Sequence, residues 1–81
     1  ILKLGHRLHC THINDNLGKD DLHLAPFSGN VKWETVMKAL REINYPGVLN
    51  LEIGINNSAP DALKDAGARY ALETLRNLEA L

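Results

Sequence analysis

Two short runs constrain this chain most. In Val48-Leu49-Asn50-Leu51-Glu52-Ile53, the residues Leu49, Leu51 and Ile53 fall on one face and Val48, Asn50 and Glu52 on the other. That period of two is the signature of a strand. Upstream, Leu8 to Ile13 repeats it, with Leu8, Cys10 and His12 on one face and His9, Thr11 and Ile13 on the other. Between the runs, Val31, Val36, Ala39, Leu40 and Ile43 recur near helical spacing, flanked by Trp33 and Met37, which predicts an amphipathic helix. A helix joining two strands makes a βαβ unit with parallel strands and a right-handed crossover. The expected fold class is α/β.

Local signals punctuate this plan. Ile1 to Leu4 reads as the tail of a helix stopped by Gly5. Asn30 is the expected N-cap of the central helix, with Glu34 early and Lys38 and Arg41 late, as the helix dipole prefers. Tyr45-Pro46-Gly47 makes a turn. Pro60 suits the start of a last helix running to about Leu78, with Ala62, Leu63, Ala66, Tyr70, Leu72, Leu75 and Leu78 as its buried face. Gly67 weakens that helix by ~1 kcal/mol relative to Ala. The loop from Asn14 to Asn30 covers about 17 residues, and connections of that length in small domains tend to carry function.

With 81 residues and 9.0 kDa, the chain is one domain at most, with a small core. Nine Lys and Arg against 10 Asp and Glu leave a net charge of -1. The basic residues are dispersed, so there is no stripe to neutralise phosphates, and a nucleic-acid partner is not expected. No apolar run approaches the ~20 residues of a membrane span. The single Cys10 leaves no internal disulfide, which suits a reducing, cytoplasmic setting. The chain opens on Ile1, not Met, and enters a strand within a few residues. This reads as a piece of a longer protein, residues 1–81 being one partial domain.

The chemistry-bearing residues cluster at strand ends and in the loop behind the first strand, where α/β folds place their sites. His12 is either a metal-ligating imidazole or a histidine hydrogen-bonded at a strand end. Asp21 and His23, two apart in an extended loop, fall on one side within reach of one ion. The alternative is an exposed charge cluster with Lys19 and Asp20. Asp15 and Asn16 either orient a ligand or substrate or form turns with their own backbone. Glu52 is a carboxylate on a strand whose other face is apolar. An unpaired charge on a strand covered from both sides is costly, so a metal, a substrate hydroxyl or a salt bridge is expected to satisfy it. Cys10 lies mid-strand without a neighbouring base, and no Gly-rich phosphate loop is present.

His12-Ile13-Asn14-Asp15-Asn16, the run from Asp21-Leu22-His23 through Ser28-Gly29-Asn30 to Trp33, and the run Lys38 to Glu52 together resemble the C-terminal part of the xylose isomerase-like TIM-barrel superfamily. The likeness is nearest to bacterial sugar phosphate isomerases and epimerases and extends from Leu8 onward. It implies a β-α-β-α fragment corresponding to the last two βα units of a TIM barrel, the C-terminal quarter, with two parallel strands. It also implies His12 and Glu52 as metal ligands, with Glu52 taking part in proton transfer next to the carbonyl. Asp21 and His23 would bind a further metal in the endonuclease branch or border the substrate in the sugar branch. The chain departs from the family at Phe27-Ser28-Gly29, where Gly-Glu-Gly is common.

The implied function of the longer protein is isomerisation or epimerisation of a sugar or sugar phosphate, assisted by divalent Mn, Mg, Co or Zn. The remaining ligands of such a site have no counterpart here, so the 81 residues alone are expected to be inactive, to bind metal weakly, and to self-associate through exposed strand edges. Two other readings compete. One is a metal-dependent phosphodiesterase like the apurinic endonucleases of the same superfamily. The other is a non-enzymatic α/β interaction module in which His12 and Glu52 are structural.

Overall fold

A computed structural model describes residues 1–54 and 57–81. Its regular elements are a short 3-10 turn at Gly5–Arg7 and two helices, α1 (Trp33–Glu42) and α2 (Asp61–Glu79). The expected β-α-β-α fragment with two parallel strands does not form. Among the described residues there is no strand and no sheet, only two isolated bridges, Ile13 with Leu51 (parallel) and Asp15 with Leu24 (antiparallel).

The reason is visible in the hydrogen bonds. The two runs do lie side by side: the Ile13 amide donates to the Asn50 carbonyl (2.7 Å) and the Glu52 amide to the Ile13 carbonyl (2.8 Å). Upstream the ladder stops. Thr11 reaches Val48 only through its hydroxyl, at 3.3 Å. At Gly47 an added Cβ would sit 3.0 Å from the His9 carbonyl and closer still to the Tyr45 ring, so only glycine lets the segments run this near. A pair of extended segments joined at one bridge, with only the single Asp15–Leu24 bridge beside it, lacks the cross-strand support that a sheet needs. The alternation itself survives: Leu49, Leu51 and Ile53 are half-buried, while Val48, Asn50 and Glu52 are exposed.

Helix α1 starts later than Asn30. Lys32 stands at its N-terminus without a side-chain cap, and Asn30 instead binds the loop, its amide donating to the Asn16 carbonyl (2.8 Å) and its side chain to the Leu17 carbonyl (3.1 Å). Trp33, Met37 and Leu40, spaced by four and three, are the residues α1 buries. The helix ends before the expected Pro-Gly break. Asn44 takes a left-handed φ of +52°, its amide donates to Arg41 (2.9 Å) and that of Tyr45 to Leu40 (3.0 Å). This is a Schellman stop, with Tyr45 folding onto the core beside Leu40.

Helix α2 forms where expected, straight after Pro60, whose carbonyl accepts from Leu63 (2.9 Å) and Lys64 (3.1 Å). Its burial is not as expected. Only Thr74 and Leu78 are buried, with Leu75 packed at the edge of the core. Leu63, Tyr70 and Leu72 are exposed, as are Ala62 and Ala66. The core is therefore small: Ile13, Trp33, Met37, Leu40 and Leu78, with Leu8, Val31, Val36, Tyr45, Leu49, Leu51 and Leu75 around it. No helix among the described residues is long and apolar enough to cross a membrane.

Candidate functional site

The bridge between Ile13 and Leu51 sets the site. Ile13 turns into the core, so its neighbour His12 turns outward, as does Glu52 beside Leu51. This brings His12 Nδ1 to 3.6 Å from Glu52 Oε2. His23 arrives from the long loop, its Nδ1 lying 3.8 Å from the same Oε2. Two imidazoles from separate segments thus converge on one carboxylate oxygen.

His23 is held further. Its Nδ1–H donates to the Glu52 carbonyl at 3.1 Å, and Nε2 faces Asp21 Oδ1 at 3.1 Å. The Asn14 side-chain amide lies 3.4 Å from Nδ1. With an acceptor at each ring nitrogen, His23 is held above the usual histidine range. The Glu52 carbonyl is the main cause, followed by the Asp21 hydrogen bond, and these outweigh a desolvation that acts the other way. Its backbone is left-handed, with φ of +49°, which is uncommon outside glycine.

Asp21 sits on the far edge of the His23 ring from Glu52 and is largely exposed. It grips His23 from behind, and the pair does not close around a common point with Glu52. Glu52 itself is 49 % exposed on its side chain, so desolvation is not what its partners answer. Imidazole nitrogen and carboxylate oxygen suit a borderline or hard divalent ion. Among the described residues, however, no three His, Cys, Asp or Glu side chains assemble into a group that would hold a metal by itself. The chain presents pairs of donors, a partial set.

The buried carboxylate of this chain is Asp15, which is fully enclosed. Its Oδ1 accepts from the amides of Asn16 (2.8 Å) and Val31 (3.1 Å). Its Oδ2 accepts from the amide of Gly29 (3.1 Å) and the indole of Trp33 (2.9 Å). Burial pushes this carboxyl up, the four donors push it down, and the donors win, leaving it below the usual aspartate range. Asn16 is a turn former, accepting from the Gly18 amide at 2.7 Å.

Sequence reasoning missed the partners of Asp15. Trp33 reads as plain core, yet a buried indole N–H needs an acceptor, and Asp15 was the acceptor on offer. Gly29 has a signal only in hindsight of its surroundings: an added Cβ would collide with Asp15 Oδ1 and the Asn16 carbonyl. Cys10 is exposed and forms no disulfide.

Comparison with known proteins gives a family. The model of the xylose isomerase-like TIM barrel family matches residues 1–78. An uncharacterized protein of Sinorhizobium fredii is 48% identical over 48 residues, 59% of this chain and 15% of its own length. An uncharacterized protein of Methanocaldococcus jannaschii is 42% identical over 53 residues, 65% of this chain and 17% of its own. The aligned part of this chain thus spans about a sixth of the length of each of these relatives. No solved structure matches the chain.

Proposed function

The chain belongs to the xylose isomerase-like TIM barrel family, and on that premise we propose that it supplies one edge of the site of a sugar or sugar phosphate isomerase or epimerase. His12 and Glu52 are the residues of this chain that would hold a divalent ion, Mn, Mg, Co or Zn. When bound, such an ion supplies Lewis acidity toward the substrate's oxygens. The Glu52 carboxylate, open to solvent on the face it shares with His12, also moves the proton next to the substrate carbonyl. His23, with both ring nitrogens engaged by Asp21 and the Glu52 carbonyl, borders the substrate as a fixed wall of the site. The exposed thiol of Cys10 suits a cytoplasmic setting. The reading rests on one observation above all: His12 and His23, from separate segments, converge on Glu52 Oε2.

Calorimetric titration with Mn²⁺ tests it. The native chain is expected to bind weakly, and His12→Ala and Glu52→Gln each to lower the affinity about tenfold or more. Equal affinity in Glu52→Gln, or none in the native chain, would sink the proposal. Because the donor set is partial, the 81 residues alone should turn over no sugar.

The Asp21–His23 contact at 3.1 Å favours a second reading, a metal-dependent phosphodiesterase of the apurinic endonuclease kind. The balanced charge of the chain opposes it. Binding of a duplex with an abasic site, and none of a ketose phosphate, would select it.

A further inference from the structure

We propose that Asp15 is the positioning residue of this site: it holds the loop that carries His23 against the segment that carries His12. The inference rests on the reading of His12, His23 and Glu52 as the site.

Asp15 touches neither histidine ring through its carboxylate. It acts through the chain. Its side chain gathers the base of the loop, with the amides of Gly29 and Val31 and the indole of Trp33 all donating to it. Its main chain fixes the middle of the same loop, since Asp15 and Leu24 exchange two backbone hydrogen bonds, at 2.7 and 2.9 Å. Leu24 is the residue after His23. One residue therefore ties down Gly29, Val31, Trp33 and Leu24, and the last of these sets where the His23 ring begins. The left-handed backbone of His23 costs energy and persists because its neighbour is held. On the other side, Asp15 follows the bridge residue Ile13 by two, so the run that positions His12 and the knot that positions His23 are continuous.

The chemistry explains the residue type. A carboxylate in a buried position is tolerated only when hydrogen-bonded throughout. Four N–H donors from both ends of a loop demand an acceptor with two oxygens and several lone pairs, which aspartate supplies in a short side chain. Asparagine would turn an NH₂ toward one pair of these donors.

Zn²⁺ titration of the whole chain, followed by NMR of the two imidazole rings, tests the assignment. In the native chain both rings should shift with one affinity. In Asp15→Asn the zinc-induced shift of the His23 ring at saturation should fall to about a tenth or less, while the affinity read at His12 changes less than about twofold and helical circular dichroism is kept. Trp33→Phe removes one donor of four and should show a smaller loss in the same direction. A native-like His23 response in folded Asp15→Asn overturns the proposal.

If zinc moves neither ring of the native chain, the reading of the site fails, and Asp15 is then judged without metal. Through-space contacts between His23 and Glu52 should disappear in Asp15→Asn while both helices remain, and their persistence overturns the positioning role. Should neither variant fold, amide exchange in the native chain decides. Leu24, Gly29 and Val31 should open as one unit, and a Leu24 amide exchanging about tenfold faster than the other two overturns it.

Discussion

His23 has an acceptor at each ring nitrogen, and that fixes its pH behaviour. The Glu52 carbonyl and then the Asp21 carboxylate favour the imidazolium. Because its folded pKa is raised, the stability it contributes is fully present below about 6.5, the ordinary histidine value, and is lost as pH rises through the folded value. Asp21→Asn removes the charged partner at Nε2, so the His23 titration should move down toward the ordinary value, leaving the Glu52 carbonyl contact. An NMR pH titration reads this directly, and an unmoved His23 would show that Asp21 plays no part. Asp15 works in the opposite sense. Its folded pKa is depressed, so its contribution is present above the ordinary aspartate value and is lost as pH falls through the folded one.

At the scale of elements, α2 is two helices in one. A helix of 19 residues is about 28 Å long and α1, with 10, about 15 Å. The C-terminal part of α2 covers α1 and the core; the rest extends past them. Leu78, with no exposed surface, should therefore matter far more than Leu63, which is 61% exposed. Leu78→Ala is expected to cost about 3 kcal/mol and Leu63→Ala no more than about 0.5 kcal/mol, by urea unfolding. Comparable costs would mean that the N-terminal half of α2 is covered after all. This division was not legible in the sequence, because Leu63, Tyr70 and Leu78 carry the same helical spacing and nothing local says which turn meets a partner. The alternation of Leu49, Leu51 and Ile53 was legible and holds. The strands it implied do not, since a ladder depends on neighbours that a local pattern does not contain. The meeting of His12 with Glu52 was legible from strand ends. The grip of Asp15, named from sequence only as an orienting or turn-forming residue, was not, because its four donors come from Asn16, Gly29, Val31 and Trp33, and no periodicity connects those positions.

As a whole the molecule is open. Its radius of gyration is 13.7 Å, against about 12 Å for a compact chain of this length. Its accessible surface is 5933 Å², where about 4,900 Å² is usual for a folded monomer of this mass. Leu2, Val48, Leu63 and Tyr70 supply part of the excess, and burying such side chains is favourable. Sedimentation velocity across a concentration series should show reversible self-association, and a monomer at every concentration would contradict it. The Asp15 knot has a different kind of consequence. It acts as a clasp at the mouth of the loop, and what lies between the clasped points is free of its geometry. The entropy of closing a loop grows only by about 0.6 kcal/mol for each doubling of length. The stretch of Lys19 and Asp20 is exposed and lies between Asp15 and Leu24, ahead of the Asp21 that grips His23, so it is interchangeable cargo. Natural variation or design can lengthen or recode it to suit a different ligand without renegotiating the fold that holds its ends.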